Sequence, residues 1–464
     1  FTVEDLYSSG MCKYTYRIVI YLFPVEKDKE YEYSRIHKFF EIDRTGGDTM
    51  GYRFSNSSRY IINENKVVLG NRYTGLWIRI SKEVYDILEL GINNDFSLNE
   101  LKCCLYDEED RNYIDSLYKK LCYMEIIEDR NPKKRLENKM ASFEITHRCN
   151  LKCIHCCIDA DSIVSDKKDL STKKVQEVLN KLIEWGPARI MLSGGEPLVR
   201  KDFTKLLIYL RKSYKGKIVV STNGTLINES NSEILSKCAD QIDISLDGID
   251  EKTCKVVRGT GIFDKVINSV KLLQNKGFKN ITLSMVIGDK NQYLEGKFNE
   301  LNKMLNTIPL IRVFSAVGRG LNNRSSFLNG GEDETYVPSN FLDDNYDKPF
   351  GMCNCGAGER ELFITYNGDI YPCPEFMKSE YLLGNIFNIN KISELSIFTN
   401  NNIKNYNLLY MLNYENYKEC INCKVNLFCW TCPGQLEELK NNKLAIEDKC
   451  KKIKPVLYKR IWER

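Results

Sequence analysis

The stretch THRCNLKCIHCC, Thr146 to Cys157, holds four cysteines within nine residues. Three of them, Cys149, Cys153 and Cys156, are spaced Cys-x3-Cys-x2-Cys. Three thiolates do not complete a tetrahedral structural zinc site by themselves. They can hold three irons of a [4Fe–4S] cluster and leave one iron open to a substrate or cofactor. Cys157 falls outside the spacing and reads as a packing residue. A second concentration of thiols lies near the end: Cys353, Cys355 and Cys373, then Cys420, Cys423, Cys429 and Cys432 in CINCKVNLFCWTC, then Cys450.

The chain has 18 cysteines and only three histidines, His37, His147 and His155. That balance disfavours mixed Cys/His zinc sites and favours all-thiolate sites. Nothing near the start has a signal-peptide layout, and the apolar run IVIYLF is far too short to span a bilayer. A cytoplasmic protein without membrane attachment is expected, in a setting where clustered thiols are more often metal ligands or catalysts than disulfides. The chain opens at Phe1, so the reading leaves room for residues upstream. A net charge of +4 supplies no global basic field, which argues against nucleic acid. Cys12, Cys103, Cys104, Cys122, Cys238 and Cys254 sit on otherwise regular segments and read as core or surface thiols.

The elements around these residues set their positions. At 464 residues the chain is long enough for two or three domains. Residues 1–130 read as strands (TYRIVIYLF, NKVVLGNRYTGLWIRIS) followed by three helices, the first capped by Ser81. That order predicts a winged-helix-like domain. Residues 131–141 read as a charged linker with Pro132. From 142 to 317, six strands alternate with helices: SFEITH, ARIMLSG, KIVVSTNG, QIDISLDG, NITLSMVIG and LIRVFSA. This predicts parallel β/α units closing into a partial barrel of the TIM type, with reactive loops at the C-terminal ends of the strands. A loop-like bridge, 318–352, leads to the cysteine-rich end, 353–464.

Four strand ends carry polar loops. The three-cysteine loop follows the first strand. SGGEP follows the second, where Gly194 and Gly195 admit close backbone approach and Glu196 can accept from an ammonium group. STNG ends the third with Asn223, and SLDG ends the fourth with Ser245, ahead of Arg258 in VRGTGIF. An arginine fork suits a carboxylate.

These motifs together resemble the radical S-adenosylmethionine (radical SAM) enzymes. The resemblance implies a partial (β/α)6 barrel and a [4Fe–4S] cluster on Cys149, Cys153 and Cys156 whose open iron chelates the methionine part of the cofactor. It implies cofactor contacts for His155, Gly194, Gly195, Glu196, Asn223, Ser245 and Arg258. Reduction then cleaves the cofactor to a 5′-deoxyadenosyl radical.

The C-terminal pattern, including the Asn-Gly turn expected in ELFITYNGDIYPC, resembles the SPASM extension of peptide-modifying members. That likeness implies two auxiliary [4Fe–4S] clusters and so three in all. Cys355, Cys373 and Cys432 would hold the first, with Cys353 its fourth ligand or that iron open. Cys420, Cys423, Cys429 and Cys450 would hold the second. Two residues separate Cys429 from Cys432, where the family commonly has three. A pair of four-cysteine zinc sites is the alternative.

The N-terminal unit resembles the peptide-recognition domain of ribosomal-peptide maturases, which can take a leader peptide as an added strand. Its helices mix acids with bases, so DNA binding would lack its main electrostatic source. The whole order is similar to enzymes that form Cys thioether crosslinks in sactipeptides and ranthipeptides. The implied partners are a precursor peptide with its leader and an electron donor such as flavodoxin or ferredoxin. The same machinery can form C–C or C–O crosslinks, epimerise residues or make formylglycine in a sulfatase. A zinc-bound regulatory protein is the non-enzyme alternative.

Overall fold

The computed structural model describes residues 16–19, 39–42, 51–105, 107–130, 139–160, 169–330, 336–338, 342, 351–395, 418–429, 432, 434, 439 and 442–464. The chain divides into two units, Phe1–Lys133 and Lys134–Arg464. The expected linker at 131–141 overlaps this division, and most of it lies outside the described residues.

In the first unit, β1 (Tyr16–Val19) and β2 (Phe39–Ile42) pair antiparallel. β3 (Tyr52–Phe54) precedes an antiparallel sheet of β4 (Ser58–Asn63), β5 (Lys66–Asn71) and β6 (Trp77–Ser81), in the order β4-β5-β6. The stretch NKVVLGNRYTGLWIRIS thus folds back on itself. The Gly75 N–H donates to the Asn71 carbonyl at 2.8 Å, with Gly75 at φ 71°.

Three helices follow as expected: α1 (Lys82–Asn93), α2 (Leu98–Cys103) and α3 (Glu108–Tyr123). Ser81 caps α1 by accepting from the Val84 N–H, and Ser97 and Glu100 form a capping box on α2. β7 (Ile127–Asp129) then returns to pair with β3. Val67, Leu69, Leu88 and Leu121 fill the interior between sheet and helices.

In the second unit all six predicted strands form. They are β8 (Met140–Glu144), β9 (Arg189–Ser193), β10 (Lys217–Thr222), β11 (Gln241–Ser245), β12 (Ile281–Ile287) and β13 (Ile308–Val313). They are parallel and adjacent in chain order. Helices cover the sheet between them: α4 (Thr172–Trp185), α5 (Phe203–Ser213), α6 (Glu229–Cys238), α7 (Glu251–Arg258), α8 (Phe263–Asn275) and α9 (Glu295–Met304).

α4 shows how the sequence dictates this packing. Val175, Val178, Leu179 and Leu182 recur at helical spacing and all are buried, so one stripe faces the sheet. Ser171 caps its start, and Gly186 ends it in the left-handed region at φ 74°. Central strands such as β10 run Ile218-Val219-Val220 with no exposure, as a sheet covered on both faces requires. This is the partial barrel, with every site loop at the C-terminal edge.

Two features differ from the sequence reading. The segment before VRGTGIF is a helix, α7, carrying Arg258 at its end. The bridge from residue 318 opens with a helical turn, α10 (Arg319–Asn322).

The cysteine-rich end continues the same sheet. β14 (Glu361–Ile364) lies parallel to β8, with Ile364 beside Phe143. β15 (Asp369–Tyr371) and β16 (Gly384–Asn385) extend the order to nine strands. The predicted Asn367-Gly368 turn joins β14 to β15, with Gly368 at φ 92°. α11 (Lys418–Ile421) and α12 (Lys443–Tyr458) follow.

Ile364 is fully buried where barrel and hairpin meet, whereas Ile308 on β13 is 52% exposed. Ile364→Ala is expected to lower the unfolding free energy by about 2–5 kcal/mol. Ile308→Ala should stay within about 0.5 kcal/mol. Urea unfolding of the full chain checks both.

Candidate functional site

Residues ahead of the first cysteine anchor its loop. Thr146 Oγ1 donates to Asp169 at 2.7 Å, and Arg148 donates twice to Asp169 at 3.0 and 2.7 Å. His147 Nδ1 lies 2.6 Å from Glu144, and its ring packs on Tyr366 from the β14–β15 hairpin at 4.9 Å. Side chains on both sides of the sheet edge therefore fix where the thiols begin.

The two glycines of SGGEP let a second loop reach this one. The Gly195 N–H donates to the Thr146 carbonyl and the Glu196 N–H to the Arg148 carbonyl, each at 2.8 Å. A Cβ at Gly194 would collide with the Thr146 carbonyl oxygen, and one at Gly195 with that of Arg148. Only glycine allows this approach.

Cys149, Cys153 and Cys156 face a cavity of about 310 Å³. His155, Gly194, Gly195, Asn223, Ser245 and Arg258 line it as well. Glu196 stands apart from these. It is fully buried beneath the loop, and its carboxylate accepts from Thr222 Oγ1 (2.7 Å), Asn223 N–H (2.7 Å) and Leu198 N–H (3.0 Å). Burial pushes its pKa up.

The thiols receive donors. Leu151 N–H lies 3.4 Å from Cys149 Sγ and Ala160 N–H 3.4 Å from Cys156 Sγ. Asn223 Nδ2 lies 3.9 Å from Cys149 Sγ, and Arg258 Nη1 lies 3.6 Å from Cys153 Sγ. Burial pushes the Cys149 thiol up to about 12, and Cys153 up as well, although Arg258 opposes the latter. Buried thiols become thiolates only against positive charge. Three thiols, N–H···S donors and a polar cavity beside them fit an iron–sulfur cluster with one open iron.

Sequence reading missed Asp247, in SLDG. It is 2% exposed, with a non-glycine positive φ of 57°. One oxygen accepts the Val286 N–H at 2.6 Å; the other meets His155 Nε2 at 2.7 Å and Arg258 Nη2 at 2.5 Å. Burial works against its charge, but Arg258 and His155 outweigh it and hold the carboxyl well below the usual range. Its type and position in a strand-end turn gave the only signal, since its partners are far off in the chain.

Cys157, read as packing, lines the same cavity, and burial raises its thiol to about 12. Arg312, Ser315, Arg319 and Glu375 complete the wall. Ser315, just beyond β13, donates to Glu375 at 2.5 Å, so the hairpin's exit reaches the barrel mouth. His155 and Phe314 line the cavity, and Phe327 packs against both, tilted to His155 at 5.9 Å and stacked on Phe314 at 4.4 Å between centroids.

The C-terminal thiols form two groups. Burial, then the neighbouring Cys432 and Cys355, push Cys373 well up. Burial and then Cys450 and Cys423 push Cys420 up to about 11, burial with Cys353, Cys450 and Cys420 pushes Cys429 up to about 12, and burial with Cys423 raises Cys450. Lys449, 5% exposed, opposes the rise at Cys420, Cys429 and Cys450. Cys353 sits at the second group, its Sγ 2.7 Å from the Cys429 carbonyl. Among the described residues, no three His, Cys, Asp or Glu side chains converge at single-ion spacing. Cluster thiolates bind separate irons.

Residues 143–295 match the radical SAM superfamily, and residues 353–424 match SPASM, an iron–sulfur cluster-binding domain. Mycofactocin maturase MftC of Mycolicibacterium smegmatis is 29% identical over 266 residues, 53% of this chain and 66% of the relative. The antilisterial bacteriocin subtilosin biosynthesis protein AlbA of Bacillus subtilis is 30% identical over 266 residues, 53% of this chain and 57% of the relative. The chain thus spans just under two-thirds and just over half of these relatives. The structure of native anSMEcpe with bound AdoMet shares the fold, with a TM-score of 0.50 and 17% identity over 69% of this chain and 98% of that one. Among the described residues, no helix is long and apolar enough to cross a membrane.

Asp247→Asn leaves the Arg258 cation buried without its counter-charge. The expected loss is about 3–5 kcal/mol of unfolding free energy. Adding Arg258→Met should recover most of it, because the stranded charge is gone. Denaturant titration of the two single variants and the double variant checks this, and simple additivity would refute the pairing.

Proposed function

We propose that this chain, which belongs to the radical SAM superfamily and carries a SPASM iron–sulfur domain, matures a ribosomally made peptide by forming Cys thioether crosslinks. The observation that carries the reading is a single cavity whose wall joins the three-cysteine loop to Glu375, two residues beyond Cys373 of the SPASM domain. A substrate in that cavity sits between the site of radical generation and the auxiliary thiols. AlbA, by its name, serves subtilosin biosynthesis, and MftC is a mycofactocin maturase. Both names support a peptide substrate here.

Cys149, Cys153 and Cys156 would hold the cluster, which would supply the electron for splitting S-adenosylmethionine to the adenosyl radical. The protein's own groups bind and orient. Gly194 and Gly195 offer close backbone approach, Asn223 and Ser245 offer polar contacts, and Arg258 suits the cofactor carboxylate. His155 and Phe314, backed by Phe327, keep water from their part of the cavity wall. Ser315 and Glu375 hold the peptide against the open end, where placement within about 1 Å decides the rate.

Closing a C–S bond sends a hydrogen atom from carbon to the adenosyl radical, a proton from the thiol to solvent and one surplus electron to an acceptor. Cys355, Cys373 and Cys432, and Cys420, Cys423, Cys429 and Cys450, would hold the auxiliary clusters, one of which would take that electron. The placement of Cys353 against Cys429 supports a role at the second group. A flavodoxin- or ferredoxin-type protein would supply reducing electrons. In the first unit β4 and β6 are edge strands of the three-stranded sheet, and either can take a leader peptide as an added strand.

The test uses anaerobically reconstituted protein, S-adenosylmethionine, a reductant and a short cysteine-bearing peptide taken from a neighbouring open reading frame. The expected product has lost two hydrogen atoms per crosslink and as many alkylatable thiols. An unchanged mass with inverted residues, or a mass loss with all thiols still alkylatable, would overturn the thioether assignment. Glu375→Gln is expected to lower peptide product about tenfold or more while leaving 5′-deoxyadenosine formation within about twofold.

A further inference from the structure

Arg319 belongs to none of the motifs above and takes no part in the proposed reaction. It is the first residue of α10, and it is built against the backbone of the three-cysteine loop. Its backbone N–H donates to the Cys156 carbonyl at 2.9 Å. Its guanidinium donates to the Cys153 carbonyl at 3.0 Å and the Ala160 carbonyl at 2.5 Å. It also pairs with Asp159 at 2.9 Å, while its own side chain is only 11% exposed. Gly318, at φ 56°, makes the approach possible, because a Cβ there would collide with the Cys156 and Cys157 carbonyl oxygens.

The loop from Leu151 to Ala160 contains no helix or strand of its own. Its own ladder therefore cannot fix the relative positions of Cys153 and Cys156. One planar, permanently charged fork that bonds Cys153 and Ala160 together can do so, and lysine cannot reproduce that fork. The same cation stands beside the thiol side of the loop and lines the cavity. Positive charge near a cluster favours its reduced, more negative state.

We propose that Arg319 is a positioning residue that locks the three-cysteine loop in its cluster-holding shape and makes the cluster held there easier to reduce. This rests on the reading that the loop holds an open-site cluster.

The experiment uses the full chain, reconstituted anaerobically, as wild type, Arg319→Lys, Arg319→Met and Asp159→Asn. Two quantities are followed on the part of the reduced-cluster EPR signal that changes on adding S-adenosylmethionine: its rate of loss to a chelator and its midpoint potential. In Arg319→Met the signal is expected to be lost about tenfold faster, with a potential shifted to more negative values. Arg319→Lys keeps the charge and loses the fork, so loss is faster while the potential stays near wild type. Asp159→Asn, at a side chain 64% exposed, folds in any case and should show faster loss of smaller size.

Wild-type loss rate and potential in Arg319→Met would overturn the proposal. So would equal loss of every cluster in both Arg319 variants together with an unchanged Asp159→Asn. A wild-type chain whose iron signal ignores S-adenosylmethionine would instead defeat the underlying reading.

Discussion

Asp247 carries a negative charge where no water can solvate it. An unpaired charge in such a place costs several kcal/mol, so its partners are obligatory. They come from three directions, the cysteine loop bringing His155, α7 bringing Arg258 and β12 bringing the Val286 N–H, while the turn after β11 holds Asp247 itself. Satisfying one carboxylate thus ties four elements into one rim. Arg258 then reaches Cys153 Sγ, so the charge balance at Asp247 extends to a thiol of the three-cysteine loop. The cation is shared between a fixed anion and a thiol whose own ionisation burial opposes.

The rest of the rim is built by close backbone approach. Gly194 and Gly195 put the second loop against the first, and Gly318 does the same from the opposite side. Side chains at any of these three positions would push the cysteine loop away from its neighbours. Sheet continuity supplies the remaining wall. Because β14 pairs with β8, the hairpin leaves the sheet beside the first barrel strand, and Glu375 arrives opposite Ser315 at the last one. The cavity is therefore closed by both ends of a single sheet, which explains why the two family matches form one unit of structure.

Much of this was legible in the sequence. Strands and helices in 140–313 follow from strict alternation of β-branched runs with stripes such as Val175, Val178 and Leu182, because burial on a parallel sheet demands that pattern. The three-cysteine spacing marked its loop for a physical reason too: thiols this close in the chain can reach one cluster without help from distant elements. Asp247, Arg319 and Lys449 were not legible. Asp247 meets His155 across 92 positions and Arg319 meets Cys153 across 166. Such meetings depend on tertiary packing, which leaves no local period. Arg319 was further hidden by the Gly- and Asn-rich composition around it, which reads as loop. The pairing of β14 with β8 was hidden for the same reason, since a strand's sequence does not name its neighbour. Cys157 shows the converse: a small hydrophobe by type, it faces the cavity because the turn from Cys156 to Asp159 leaves it there.

The proposed function stands on Cys149, Cys153 and Cys156 together holding the cluster that would cleave the cofactor in this cavity. The direct measurement is 5′-deoxyadenosine formed from S-adenosylmethionine and a chemical reductant. It is made on the anaerobically reconstituted chain and on the variant with all three cysteines changed to alanine. The wild type is expected to form 5′-deoxyadenosine and the variant none above background, with iron still bound at the C-terminal thiols. Continued formation by the variant, or none from a wild-type chain carrying its full iron, would contradict it.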